Sequence, residues 1–309
     1  KGVDFKGIAR VTLVACGTAS YACHVAKYWF EQIAGLPADI DIASEFRYRD
    51  PVLSPASMAI FVSQSGETAD TLAALRHATG KVARVVSVVN VPTSSIARES
   101  DLALPILAGL EVGVASTKAF TCQLTVLALM ALKAAQDRGR IDAATLAKRL
   151  DSLRAVPGLM NAALSLSDPI ARVAEDLGKA QDILFLGRGP MFPLALEGAL
   201  KLKEISYIHA EGYASGELKH GPIARIDAQV PVIVLAPKDA LFDKTVSNMQ
   251  EVMARHGKVL LLSDATGIKT AGPGTWKTLT LPTVDPHWAP ILYAVPAQLL
   301  AYHTAIAKG

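Results

Sequence analysis

This chain of 309 residues contains few cysteines, carries little net charge and has few long apolar runs. The three cysteines, Cys16, Cys23 and Cys122, are an odd number without metal-ligand spacing, which disfavours a disulfide framework and a metal site and favours a reducing cytoplasm. A net charge of +3 without a dense Lys/Arg cluster attracts the phosphate backbone of a nucleic acid only weakly, so we expect no DNA or RNA partner. The longest apolar stretch, near Leu124 to Leu132, is too short to cross a bilayer and predicts no membrane span.

The glycine motifs of dinucleotide and P-loop sites are missing from residues 60–68, yet this segment is the most informative one. Its pattern predicts a buried strand that runs through a hydroxyl-rich turn into a helix over 69–75. The first turn of a helix presents unpaired backbone N–H groups and the positive end of the dipole, so an anion binds there. Gly66 allows close approach, and four side chains add donors: Ser63, Gln64, Ser65 and Thr68. We predict a site for a phosphorylated small molecule, with ordinary helix N-caps as the alternative.

The composition and length suit two globular domains, with 51% hydrophobic and 19% charged residues. Short β-branched runs alternate with helical patterns, which is typical of parallel sheets covered by helices. After a helical connector over about 143–179 the alternation restarts, which indicates a duplication. We predict an α/β fold with a first domain over 1–145 and a second over 146–309. Strands are expected at 11–15, 40–43, 58–62, 82–89 and 102–106, and then at 183–187, 232–236, 259–262 and 278–281.

Three turns of the first predicted domain follow strands, at Thr18, at 63–68 and at 113–117. Ligands of open parallel sheets gather at the carboxyl ends of strands, so we expect these turns to line one crevice. The third turn precedes a helix and offers backbone donors and a hydroxyl. Its alternative interpretation is a plain N-cap at Ser116.

A charged stripe runs along the predicted helix at 194–205, where Glu197, Lys201 and Glu204 are spaced at i, i+4 and i+7. Leu194, Leu200 and Ile205 border this stripe, and apolar neighbours predict partial enclosure. An enclosed carboxylate beside an ammonium suits proton transfer. The alternative is a set of solvent-facing ion pairs.

His220 is the one histidine that the pattern nominates for catalysis. It precedes Gly221 and Pro222, which stop regular structure and allow a loop to aim an imidazole into a cleft. The other six histidines lie in segments that read as helices or helix edges, without ligand spacing. An ordinary loop histidine is the alternative.

Five segments together resemble the isomerase half of the glutamine:fructose-6-phosphate amidotransferases, or glucosamine-6-phosphate synthases, which is built from two sugar isomerase (SIS) domains. They stand in the family's order and cover most of the chain. The segments are 15–18, 44–49, 63–71, 113–120 and 196–222. The resemblance implies two tandem SIS domains, each a flavodoxin-like three-layer sandwich.

The resemblance also implies roles for the residues singled out above. Glu204 transfers a proton between C1 and C2 of the sugar, an enediol mechanism in which one base serves both carbons. Lys201 and Glu197 flank that base, and His220 is the ring-opening residue, contributed across the interface of a homodimer. No metal or organic cofactor is implied. Thr18, Ser63, Gln64, Ser65 and Thr68 hold the phosphate, and Val114 and Ser116 lie near the sugar.

The family carries an N-terminal glutaminase domain and a C-terminal tail whose lysine closes over the sugar. This chain begins at Lys1 without methionine and stops at Gly309, so we expect both parts to be absent and turnover by this chain to be crippled. In the whole protein the implied reaction makes glucosamine 6-phosphate from fructose 6-phosphate. Two alternatives stay open, a stand-alone SIS deaminase or isomerase of amino-sugar phosphates and a non-catalytic sugar-phosphate sensor.

Overall fold

Two five-stranded parallel sheets organise the chain in this computed structural model, which describes residues 2–309. The chain divides into a first unit that ends at Arg149 and a second that begins at Leu150. This boundary falls inside a long helix, Ala143–Leu164, and the predicted boundary after residue 145 lies in the same helix. The α/β fold with two parallel sheets flanked by helices is confirmed.

The first sheet has the strand order β2-β1-β3-β4-β5, and every neighbouring pair is parallel. All seven residues of its central strand β3 are buried, because helices cover both faces of a parallel sheet. The five predicted strands of this unit are all present. They are β1 (Arg10–Ala15), β2 (Ala38–Ile42), β3 (Ser57–Ser63), β4 (Arg84–Val89) and β5 (Leu102–Pro105).

Helices follow each strand of the first unit. The sequence patterns predicted the first, third and fifth of them, and the two short ones were missed. They are α1 (Gly17–Gln32), α2 (Ala43–Arg49), α3 (Ala69–Ala78), α4 (Ser95–Glu99) and α5 (Lys118–Asp137).

Helix α5 bears on the membrane prediction. By length and composition alone its 20 residues are enough to cross a bilayer, because the helix extends beyond the apolar stretch at 124–132 on which the expectation of no membrane span rests. Two thirds of its apolar window, 67%, is buried, and Leu124, Leu127 and Ala131 are fully enclosed. Burial of this extent is what the core helix of a globular unit shows.

The second sheet has the order β7-β6-β8-β9-β10, again parallel throughout. Its order repeats that of the first sheet when β6 is matched to β1 and β8 to β3. The strands are β6 (Asp182–Gly187), β7 (His209–Ala214), β8 (Pro231–Leu235), β9 (Lys258–Asp264) and β10 (Lys277–Leu281). The helices are α6 (Ala143–Leu164), α7 (Ser167–Leu177), α8 (Met191–Ser206), α9 (Phe242–Met253), α10 (Ala265–Ala271) and α11 (Ala289–Lys308).

Strand β7 is absent from the sequence prediction, which placed His209 at a helix edge. The segment carries no β-branched residue, so its composition gives no strand signal. Parallel pairing with β6 creates it. Gly212 is required there, because a Cβ atom would lie 2.6 Å from the backbone nitrogen of Leu196 in α8.

Candidate active site

The carboxyl edge of the first sheet collects the predicted phosphate-binding turns. Its strand order places a topological switch point between β1 and β3, where ligands of such sheets bind. Thr18 lies in the first turn of α1, directly after β1, and the turn from Ser63 to Thr68 follows β3. The third turn, 106–117, follows the edge strand β5.

Hydrogen bonds inside the turn 63–68 fix its shape. The hydroxyls of Ser63 and Thr68 lie 3.0 Å apart, and Ser63 Oγ accepts the backbone N–H of Gly66 at 3.0 Å. Ser65 Oγ accepts the N–H of Glu67 at 3.2 Å. Thr68 is the N-cap residue of α3, but its side chain makes no capping bond, unlike the ordinary N-cap that was the alternative. The first turn of α3 therefore keeps its N-terminal amides uncapped by this hydroxyl, as an anion site needs.

The turn is also held from the neighbouring strand. Gly66 adopts a φ of +68°, and a Cβ atom on it would lie 2.0 Å from the hydroxyl of Ser94. The carboxylate of Glu67 accepts the backbone N–H of Ser95 at 2.7 Å. This hydrogen bond is the main cause that lowers the pKa of the Glu67 carboxyl, and a hydrogen bond from the Ser95 hydroxyl is the second. The side of the turn facing β4 is thus occupied by protein, and the chain can follow this path only with glycine at 66.

In the turn that carries Val114 and Ser116, the residue that caps the following helix differs from the Ser116 cap considered in the sequence analysis. The N-cap of α5 is Thr117, and the carboxylate of Glu111 accepts the N–H groups of Thr117 at 2.9 Å and of Ala119 at 3.3 Å. Ser116 donates its hydroxyl to the same carboxylate at 3.1 Å, so it is not the helix cap. Val114 is fully exposed. Sequence reasoning missed Glu111, whose position six residues before the N-cap residue Thr117 resembles no standard capping pattern.

The charged stripe of α8 passes from the protein interior to the surface. Glu197 and Lys201 are 1% and 2% exposed, whereas the side chain of Glu204 is 35% exposed. Lys201 Nζ lies 3.7 Å from Glu197 Oε1 and donates a hydrogen bond to Glu204. The alternative of solvent-facing ion pairs is wrong for Glu197 and Lys201. A buried ammonium therefore orients a carboxylate that a small molecule can reach.

His220 ends a short 3-10 turn, Ser215–His220, that follows β7 at the carboxyl edge of the second sheet. Ser215 and Leu218 are fully buried and anchor the turn, while His220 itself is exposed. Lys219 pairs with Glu251 of α9 at 2.9 Å.

Glu204 and His220 lie at opposite edges of the second sheet. Helix α8 begins at the carboxyl edge, and Glu204 stands 13 residues beyond its first residue, Met191, which is about 20 Å along the axis. Strand β7 then returns to the carboxyl edge and delivers His220 there. One copy of this unit therefore does not bring the two side chains together.

Among residues 2–309, the structure has no group of three or more His, Cys, Asp or Glu side chains placed to hold a metal ion. Cys23 is fully buried, and burial raises the pKa of its thiol far above the usual value, which makes it unreactive.

Known proteins show the same architecture. A family model described as the SIS domain matches residues 5–133 and 176–308. The glutamine--fructose-6-phosphate aminotransferase [isomerizing] of Brucella abortus biovar 1 (strain 9-941) is 59% identical over 308 residues, which are 100% of this chain and 51% of the relative. The chain thus spans about half the length of the curated relatives it matches.

Solved structures agree with these matches. The C-terminal domain of glucosamine-fructose-6-phosphate aminotransferase from Francisella tularensis superposes with a TM-score of 0.97 and 45% identity, covering 99% of this chain and 86% of that one. Glucosamine-6-phosphate deaminase from Thermotoga maritima reaches a TM-score of 0.77 at 23% identity, covering 97% and 86%, which shows a shared fold alone. The chain therefore belongs to the SIS-domain family and corresponds to the C-terminal, isomerase domain of the glutamine–fructose-6-phosphate aminotransferases.

Proposed function

We propose that the chain binds a hexose phosphate and moves a proton between C1 and C2 of the sugar, as the isomerase portion of an enzyme that makes glucosamine 6-phosphate from fructose 6-phosphate. The observation that carries the proposal is the stripe on α8, where buried Lys201 donates a hydrogen bond to the reachable carboxylate of Glu204. The 59% identity to a glutamine--fructose-6-phosphate aminotransferase over the whole chain supports it. Nitrogen transfer from glutamine belongs to the proposed activity of the whole protein.

The turn 63–68 holds the phosphate in this proposal. Ser63, Gln64, Ser65 and Thr68 surround the start of α3, and Thr18 stands at the adjacent strand end across the switch point. Hydroxyl and backbone N–H donors suit the phosphate oxygens. Val114 and Ser116 contact the sugar, in a turn that Glu111 keeps in place.

Glu204 is the base in this proposal. Its carboxylate takes the proton from C1 of the open-chain ketose, the C–H electrons form the C1–C2 double bond, and the C2=O π electrons move to O2, which takes up a proton to give the enediol. The same carboxyl group then returns its proton to C2 while O1 releases a proton and the C1=O bond of the aldose forms. Lys201 orients the carboxylate, and Glu197 balances the charge of Lys201 in the interior. No proton is gained or lost overall.

His220 opens the sugar ring at a site that two copies of the chain build. The positions of Glu204 and His220 at opposite edges of the second sheet support this arrangement, since a second copy is needed to bring the imidazole to the carboxylate. The protein is then a homodimer whose sites are shared.

Replacing Glu204 by glutamine in the natural full-length protein tests the base. The variant should bind fructose 6-phosphate as the unaltered protein does but lose exchange of the C2 proton of glucosamine 6-phosphate with deuterated water. Normal exchange in Glu204→Gln would remove the residue from this role. The double variant Ser65→Ala with Thr68→Ala tests the phosphate turn. It should weaken the binding of glucose 6-phosphate far more than the binding of glucose.

Mixing two inactive variants tests the shared site. Glu204→Gln and His220→Ala homodimers, dissociated together and reassociated, should recover about a quarter of the ring-opening and exchange activity, because half the dimers are mixed and each carries one intact site. Each variant alone stays inactive. Absence of recovery, with mixed dimers verified by mass spectrometry, would mean that both residues act within one copy.

A further inference from the structure

The duplication of the fold leaves a second set of turns at the carboxyl edge of the second sheet. The turn after β8 has the place in this unit that the turn 63–68 has after β3 in the first. A cavity of about 220 Å³ opens on the β9 and β10 side of that turn. Pro237, Asp264 and Pro282, from the ends of three strands, form its walls with Tyr293 of α11.

One wall of this cavity carries a buried carboxylate. Asp264 is 6% exposed, and each of its oxygens accepts one backbone N–H, from Lys238 at 2.9 Å and from Gly267 at 3.0 Å. A carboxylate offers about four lone-pair sites, so Asp264, which lines the cavity and caps the N-terminus of α10, retains acceptor capacity. Thr266 and Thr283 line the same space.

The charge of the cavity is the opposite of what a phosphate needs. Lys238 is its one lining cation, and its ammonium is paired with Asp243 at 3.2 Å and lies 4.2 Å from the ring centroid of Phe242. Asp239, half-buried in the same turn, adds a further carboxyl group. A phosphate dianion would be repelled by the carboxylate of Asp264, whereas an ammonium group would be paired by it.

We propose that this cavity is a second ligand site, which takes a small hydroxylated amine without a phosphate group. The amine donates to the carboxylate of Asp264, the threonine hydroxyls bind the ligand hydroxyls, and the proline walls cover its carbon skeleton. The site lies wholly in the second unit and does not depend on the proposed sugar-phosphate turn of the first.

Calorimetric titration with unphosphorylated D-glucosamine tests the proposal. It should be carried out on the full-length protein with glucosamine 6-phosphate held at saturation, so that the proposed sugar-phosphate site is occupied and failure of one site is distinguishable from failure of the other. One equivalent per chain should bind, and glucose and glucose 6-phosphate should each bind at least about tenfold more weakly, since neither brings a cation to the buried carboxylate.

Two variants locate the ligand. Thr283→Trp fills the cavity from its exposed rim and should abolish binding, while Thr280→Trp, an exposed threonine of β10 outside the cavity, should leave it unchanged. Asp264→Asn should weaken the binding of glucosamine at least about tenfold. Thr283→Trp keeps the test valid if Asp264→Asn unfolds. Absence of glucosamine binding, binding that survives Thr283→Trp, or equal binding of glucose would overturn the proposal.

Discussion

Replacing Lys201 by methionine is the sharpest perturbation that the second unit offers. Methionine matches the length of the lysine stem but removes the ammonium that lies 3.7 Å from Glu197. Both side chains are enclosed, at 2% and 1% exposure, so the carboxylate of Glu197 would stay in the interior without the ammonium of Lys201.

The expected cost follows from this enclosure. Removing one partner of a buried ion pair typically destabilises a protein by about 3–5 kcal/mol, because the remaining charge is uncompensated. The double variant Glu197→Gln with Lys201→Met should recover much of this loss, since no buried charge remains. Lys203→Met is the matched control, because Lys203 is exposed on the same helix and should change stability by about 0.5 kcal/mol or less.

Urea unfolding, with hydrogen exchange of α8 peptides followed in parallel, measures these differences. A loss below about 1 kcal/mol for Lys201→Met, or a double variant no more stable than the single one, would refute the electrostatic account of this helix.

Three further changes test other parts of the structure. Gly66→Ala should weaken hexose-phosphate binding by at least about tenfold in calorimetry, because the left-handed φ costs about 1–2 kcal/mol and the new methyl group meets Ser94. Ser94→Gly in the same protein should partly restore binding. An unchanged affinity of Gly66→Ala would contradict the tight contact between residues 66 and 94. Glu111→Ala should lower the thermal stability of α5 by about 1 kcal/mol through loss of its N-terminal acceptor, and Glu111→Gln by less. The hydrogen bond to Glu211 and, to a smaller extent, burial raise the pKa of Tyr213 to about 12. The native protein should therefore be more stable than Tyr213→Phe, and this difference in stability should be complete below the unfolded pKa near 10. It should vanish as pH rises through about 12. Ultraviolet titration that finds Tyr213 ionising with the exposed tyrosines would contradict this last expectation.

The sequence alone determined the α/β class, nine of the ten strands and the turn at 63–68. These features rest on local patterns, because β-branched runs and strand–turn–helix transitions are written in neighbouring residues. The spacing of Glu197, Lys201 and Glu204 likewise placed them on one face of a helix.

Tertiary structure decided what local patterns do not contain. Strand β7 exists because β6 pairs with it, although its own residues give no strand signal. The burial of Lys201 and the separation of Glu204 from His220 depend on where other segments pack. The capture of the α5 amides by Glu111 depends on how the turn before that helix folds. Burial and long-range hydrogen bonds are properties of the assembled chain, and they turn a row of charges on a helix into an ammonium held inside and a carboxylate presented outside.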